Sequence, residues 1–178
     1  TICGDGTSGT KTGIAPDATL MILKTLNDNG NTNANAIVSG MEFAVEHGAE
    51  VLSMSLGIGN SSISDRTMLR QACVNTLAAG VIASVAAGND GTDLGGYPIP
   101  NNVRVPSSCP APWIHPDQQA NSGGRSCVVS VGAVDSNDAH AYFSSQGPVT
   151  WQNTSYGDYP YNPGIGLIRP DICAPGMD

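Results

Sequence analysis

A short apolar segment that stops abruptly at polar residues constrains the fold of this chain most strongly. Residues 81–87 carry no charge, include β-branched side chains and run directly into Gly88-Asn89-Asp90-Gly91. An uncharged run between turn formers is typical of a strand buried on both faces, as in a parallel sheet. Asn89 then lies at the carboxyl end of that strand, where α/β proteins bind ligands. A plain turn remains the alternative interpretation, because Asn, Asp and Gly are common in turns.

Apolar and amphipathic segments alternate along the rest of the chain. Further strands are predicted at residues 19–26, 51–57, 127–134 and 171–174. Apolar residues recur at helical spacing within 34–45 and 69–77, with Asn33 as an N-cap and Gly48 and Gly80 as stops. This alternation predicts right-handed crossovers and an α/β fold, a three-layer parallel sheet with helices on both faces.

The length and punctuation of the chain indicate one domain. A chain of 178 residues can bury a sizeable core, and residues 1–178 show no internal boundary. Residues 98–125 carry six prolines and little periodicity. Because the strand pattern resumes after them, we expect this stretch to be a surface insertion within the domain.

Charge and cysteine content exclude several classes of partner. Fifteen acidic against seven basic residues give a net charge of −8, which disfavours nucleic acid. No apolar run approaches the roughly 20 residues of a membrane span. The five cysteines form no C-x-x-C pair, so no metal site is predicted. Cys73 and Cys173 are expected to be buried small hydrophobes, whereas Cys109 and Cys127 flank the insertion and could close it with a disulfide.

Seven short motifs follow one another in order along the chain. They are Gly13-Ile14-Ala15-Pro16-Asp17-Ala18, Ser53-Met54-Ser55-Leu56-Gly57, Ala86-Ala87-Gly88-Asn89-Asp90-Gly91, Gly96-Tyr97-Pro98, Val131-Gly132-Ala133-Val134, Phe143-Ser144-Ser145-Gln146-Gly147-Pro148 and Arg169-Pro170-Asp171-Ile172-Cys173-Ala174-Pro175-Gly176. In this order the chain resembles the middle of a subtilisin-like serine protease, a subtilase, and most of its length takes part in the resemblance.

The resemblance implies a catalytic role for Asn89 and a set of substrate-binding residues. Asn89 matches the side-chain donor of the oxyanion hole, which binds the carbonyl oxygen that becomes negative during peptide cleavage. The implied substrate-binding residues are Ser55, Leu56, Gly57, Ala86, Ala87, Gly88, Gly96, Tyr97 and Pro98. The first three would pair with an extended substrate backbone, and the others would wall a side-chain pocket or form a turn beside it, with a cis peptide before Pro98. Asp90 could favour a basic substrate residue there. Taken singly, Leu56 also fits a core residue and Gly88 a turn glycine.

The chain departs from the family pattern at the catalytic triad. The Asp-Thr/Ser-Gly, His-Gly-Thr-His and Gly-Thr-Ser-Met-Ala motifs that carry the Asp, His and Ser of the triad do not occur. We therefore expect a subtilisin-like domain truncated at both ends and inactive by itself. His47, His115 and His140 do not fit the missing base, and a new triad of His140 with Ser144 or Ser145 is disfavoured.

The resemblance also implies what the intact protein does. It predicts a secreted serine endopeptidase that hydrolyses polypeptides through an acyl-enzyme and needs no cofactor, although intact family members can carry calcium. The alternative is a pseudo-protease whose groove binds peptide without cutting it. Loss of the triad-bearing segments would expose apolar surface, so we also expect the isolated chain to associate with itself.

Overall fold

The described part of the chain forms a four-stranded parallel sheet with two helices. The structure, a computed structural model, describes residues 2–7, 9, 12–91, 96–111, 126–151 and 167–177. Its elements are α1 Ala34–Glu46, β1 Val51–Met54, α2 Ile63–Ala78, β2 Ile82–Ala86, β3 Val128–Val134 and β4 Ile172–Pro175. The strands pair in parallel in the order β1-β2-β3-β4. The prediction of an α/β fold with a parallel sheet is therefore confirmed.

Local capping residues set the ends of both helices. The side chain of Asn33 accepts a hydrogen bond from the N–H of Ala36 at the start of α1, as predicted. Gly48, with a φ of 82°, follows the last turn of α1. At the start of α2, Ser62 and Asp65 form a capping box, so the helix begins before the stretch 69–77 in which helical spacing was predicted.

The core lies on one face of β1 and β2. Leu52 of β1 and Ala83 and Val85 of β2 are buried in one cluster with α1 and α2, which pack against each other. The alternate residues Val51 and Ile82 are 64% and 53% exposed. Burial of β2 on both faces, expected from its apolar sequence, is therefore not observed in the described part of the chain.

Residues 19–26, predicted as the first strand, are not a strand. Their composition is typical of a strand, but they pair with no strand of the described sheet, in which β1 is the edge strand. Ile22 is 86% exposed, while Leu23 packs against the core. A strand is stabilised by backbone hydrogen bonds to a neighbour, and the described residues supply none beside this segment.

The stretch 98–125 differs from the predicted surface insertion in its described part. Most of residues 102–110 are buried, and Val103 and Val105 belong to the core. Val105 forms an isolated antiparallel bridge with Ile58, which ties the segment to the chain just after β1. The prediction is therefore wrong for these residues, whose buried side chains include the polar Asn102 and Ser107 as well as apolar ones. Residues 112–125 lie outside the described part.

The cysteines are distributed differently from the expectation. Cys173 is exposed on β4 rather than buried, since that strand has no partner on its far side among the described residues. Cys109 and Cys127 are buried and both are free thiols. Neither described helix is long and apolar enough to cross a bilayer.

Candidate active site

Asn89 is exposed just after β2, and its two neighbours are held by a single residue. The carbonyl oxygen of Gly88 accepts a hydrogen bond of 3.0 Å from the N–H of Ser145. The N–H of Asp90 donates to the hydroxyl of the same serine at 3.1 Å. Gly88 has a φ of 121°, which L side chains rarely adopt, so glycine permits the sharp exit from the strand. The backbone of Asn89 is thus fixed, while its side chain makes no hydrogen bond to other described residues.

Asp90 is a buried carboxylate with a bidentate ion pair. It accepts hydrogen bonds from Nε and Nη2 of Arg104, at 2.5 and 2.8 Å. The hydrogen bond with Asp90 is the main cause that raises the pKa of Arg104. The backbone carbonyl of Asp90 accepts from the amide of Asn102, which also donates to the carbonyl of Tyr97. The charge of Asp90 is therefore engaged within the protein, which removes the basis for a preference for basic substrate residues.

Ser55, Leu56 and Gly57 follow β1 directly and lie beside the segment that carries Arg104. Ser55 is exposed, whereas Leu56 is half-buried and packs against the core. A Cβ on Gly57 would lie 2.8 Å from the Cβ of Arg104, and one on Gly88 would lie 3.0 Å from its Cγ. The alkyl chain of Arg104 thus lies between the two glycines. It brings together the two predicted walls of the substrate pocket.

Ala86 and Ala87 have different roles at the end of β2. Ala86 is exposed, and Ala87 is almost fully buried. The N–H of Ala87 donates to the carbonyl of Val131 at 2.8 Å, and its own carbonyl accepts from the N–H of Arg104 at 2.9 Å. Ala86 therefore offers surface, whereas Ala87 is part of the framework that holds the strand tip.

Gly96, Tyr97 and Pro98 are exposed and lie near the same ion pair. A Cβ on Gly96 would lie 2.7 Å from the Cβ of Asp90, so this segment packs closely on the strand tip. The predicted cis peptide before Pro98 is wrong. The cis peptide bonds of the described residues precede Pro100, Pro106, Pro148 and Pro170.

None of the described histidines forms a replacement triad. His47 is the C-cap of α1, with its Nδ1 2.8 Å from a carbonyl oxygen of that helix. The hydroxyls of Ser144 and Ser145 are buried and accept hydrogen bonds from backbone N–H groups, while His140 is exposed. His115 lies outside the described residues. Within the described part, no group of three or more metal-binding side chains could hold an ion.

Two residues of the site could not be predicted from the sequence. Asn102 and Arg104 hold the strand tip and the predicted pocket, yet both lie in the Pro-rich stretch that was expected on the surface. Asn102 also accepts a hydrogen bond of 2.7 Å from the N–H of Gln146. The sequence feature that could have indicated them is the position of two polar side chains among Val and Pro residues. A search for helical or strand periodicity does not detect such a feature.

The geometry provides an exposed side-chain amide on a backbone that hydrogen bonds hold on both sides. An accessible side-chain donor on a fixed backbone can stabilise an oxyanion without reorganising. The adjoining segment at Ser55 offers an edge for an extended peptide. The described residues supply no nucleophile with an adjacent base, so the arrangement by itself supports binding and charge stabilisation rather than a complete reaction.

The chain is similar to one family over its whole length. A profile of the Subtilase family matches residues 1–178. Subtilisin DY of Bacillus licheniformis is 34% identical over 175 residues, which cover 96% of this chain and 55% of the relative. Subtilisin-like protease 2 of Pseudogymnoascus destructans is 33% identical over 181 residues, covering 100% of this chain and 33% of the relative.

Solved structures of proteases share the fold. A psychrophilic protease has a TM-score of 0.57 and 25% identity, covering 96% of this chain and 48% of the other. The self-cleaved protease domain of PatA has a TM-score of 0.59 and 25% identity, covering 83% and 46%. The chain thus spans between a third and just over half of the length of the two curated relatives named above.

Proposed function

The chain belongs to the subtilase family, and we propose that the intact protein that carries it is a serine endopeptidase acting on extended polypeptides. The observation that supports this most is the position of Asn89. Its side chain is exposed at a strand tip whose backbone is held on both sides by Ser145. A donor fixed before charge develops is what acyl transfer requires.

The residues of this chain would serve two parts of the reaction. An extended substrate would pair with the edge at Ser55, Leu56 and Gly57, with the side chain before the scissile bond lying beside the exposed Ala86 and Gly96. When a serine oxygen attacks the peptide carbonyl, the amide of Asn89 would donate to the resulting oxyanion. Collapse of the tetrahedral intermediate then releases the amine and leaves the acyl-enzyme, which water hydrolyses. No cofactor is needed for these steps.

These 178 residues should not complete the reaction by themselves. They contain none of the family's three triad motifs, and the hydroxyls of Ser144 and Ser145 accept hydrogen bonds from backbone N–H groups. The test compares the intact protein with the 178-residue chain, using a quenched peptide substrate and a fluorophosphonate that labels activated serines. We expect hydrolysis and labelling for the intact protein and neither for the chain.

The pseudo-protease is the competing function. The peptide edge and pocket walls present here would also suit a protein that binds polypeptide without cutting it. If the intact protein binds a peptide but neither cleaves it nor reacts with the fluorophosphonate, the pseudo-protease replaces the endopeptidase as the proposed function.

We also propose that the intact protein lies outside the cytoplasm, as the resemblance implies, and fractionation of the native source tests that location.

Self-association of the 178-residue chain is a further proposal. Val51 and Ile82 are paired in register on the open face of the sheet, and Ile172 on β4 is also 53% exposed. Exposed apolar side chains in a row favour contact between copies.

A further inference from the structure

Three thiols that are distant in sequence meet inside the domain. Cys73 lies in α2, Cys109 in the buried segment after Arg104, and Cys127 immediately before β3. Their exposed fractions are 4%, 0% and 1%. All three are free thiols in this structure, so a disulfide between any two of them would require their oxidation.

The contacts among these thiols are not equal. The Sγ of Cys127 donates to the backbone carbonyl of Cys73 at 3.0 Å, across a sequence separation of 54. The pKa of Cys73 responds first to a side-chain hydrogen bond with Cys109 and then to one with Cys127, and the pKa of Cys127 is raised first by its hydrogen bond with Cys73. Cys73 is therefore the shared member, and Cys127 contacts both its main chain and its side chain.

We propose that Cys73 and Cys127 form a disulfide when the chain folds in the presence of a disulfide oxidant, and that Cys109 stays a free thiol. The bond would tie α2 to the start of β3. This pairing differs from the bond between Cys109 and Cys127 that the flanking positions suggested. A three-thiol metal site is the other arrangement such a cluster could offer, but the described residues hold no group fit for a metal ion.

The surroundings of the thiols indicate whether the disulfide forms during folding or after it. The hydrogen bond with Cys109 and burial raise the pKa of Cys73, and the hydrogen bond with Cys73 and burial raise that of Cys127. The thiolate is the reactive form, so both groups are inert once the core has closed. The bond should therefore form during folding, while the thiols still meet solvent.

The reaction balances with glutathione disulfide as the oxidant. The thiolate of one cysteine attacks a glutathione sulfur, which forms a mixed disulfide and expels one glutathione thiolate. The thiolate of the other cysteine then attacks the protein-bound sulfur and expels the second glutathione. Two protein thiols are oxidised, one glutathione disulfide is reduced to two thiols, and the two protons pass to the leaving thiolates.

The test maps the bond in a variant without the two outer cysteines, Cys3→Ser/Cys173→Ser. The chain is folded in a glutathione redox buffer, and its folded fraction is alkylated and digested with trypsin without reductant. Cleavage after Arg70, Arg104 and Arg125 leaves each remaining cysteine on a separate peptide. We expect mass spectrometry to find the Cys73 and Cys127 peptides linked, and Cys109 alkylated after denaturation.

A second readout concerns timing and stability. Oxidant added to the chain after it has folded reduced should give less than a tenth of the linked product obtained during folding. The linked form should melt about 5–10 °C above the reduced form. A link that involves Cys109, or three free thiols after oxidative folding, would overturn the proposal. Neither result depends on whether the intact protein is a protease.

Discussion

At the scale of single residues, the candidate site depends on a buried carboxylate and its partner. Asp90 follows Asn89 directly, and its pairing with Arg104 fixes the chain on one side of the proposed oxyanion donor. The same Arg104 packs its alkyl chain between Gly57 and Gly88. One side chain therefore links the strand tip, the peptide edge and the pocket wall, and the neutralised pair adds no net negative charge beside an oxyanion.

Removal of the Arg104 charge should destabilise the chain. Arg104→Met keeps most of the alkyl packing but leaves Asp90 buried without its bidentate donor. We expect the free energy of unfolding to fall by about 2 kcal/mol, the size of a charged hydrogen bond that is partly screened by solvent. Equilibrium unfolding in urea measures this loss of stability, and the dependence of the unfolding free energy on urea concentration should be the same for both proteins.

A comparison with an exposed ion pair controls this prediction. Lys24 and Asp28 form a pair with side chains 69% and 91% exposed, so Lys24→Met should change stability by less than about 0.5 kcal/mol. The double variant Asp90→Asn/Arg104→Met should cost less than the sum of the two single changes, because they share one interaction. Equal costs for Arg104→Met and Lys24→Met would show that the buried pair contributes nothing special.

At the scale of secondary-structure elements, the described part of the chain covers one face of the sheet and leaves the other face of β1 and β2 open. The alternation of buried and exposed residues in β1 and β2 places α1 and α2 on the covered face. The open face carries Val51 and Ile82 side by side. Such a face is usually covered in a parallel sheet, so it is the surface through which we expect copies of the chain to associate.

Polar substitution of the open face should reduce this association. Val51→Thr/Ile82→Thr keeps β-branched residues that suit strands while removing two apolar side chains from the surface. We expect the unaltered chain to sediment as more than a monomer at micromolar concentration, and the double variant to shift towards a monomer. Ile14→Thr, in a loop where the side chain is 93% exposed, should leave sedimentation unchanged. A monomeric unaltered chain is the contrary result.

The elements also show what periodicity could and could not predict. Four of five predicted strands and both helices were found, because their apolar runs are local features. Residues 19–26 have the composition of a strand but lack a pairing partner in the described sheet, and sequence pattern does not report partners. The cap at Ser62 was not predicted, because the apolar residues at helical spacing begin only at Leu69.

At the scale of the whole molecule, the site is assembled by contacts between distant segments. Asn89 could be placed at a strand tip from its own neighbourhood, and the structure has it there. Asn102 and Arg104 could not be assigned to the site from the sequence, because they act through hydrogen bonds to Asp90, which is more than ten positions away. Ser145, 55 positions from Asp90, completes the clamp. Motif resemblance supplied the family, while the structure supplied the residues that hold the motif in place.

The turnover of an Asn89→Ala variant of the intact protein tests the central claim most directly. Loss of the oxyanion donor should lower kcat by about 10² to 10³, a figure that belongs to a subtilisin and is carried over to this family member. KM should change by less than about threefold, because the interaction is made in the transition state. Asn75→Ala, at an exposed site near the end of α2, should leave both constants unchanged. A kcat for Asn89→Ala equal to that of the unaltered protein would remove Asn89 from the reaction.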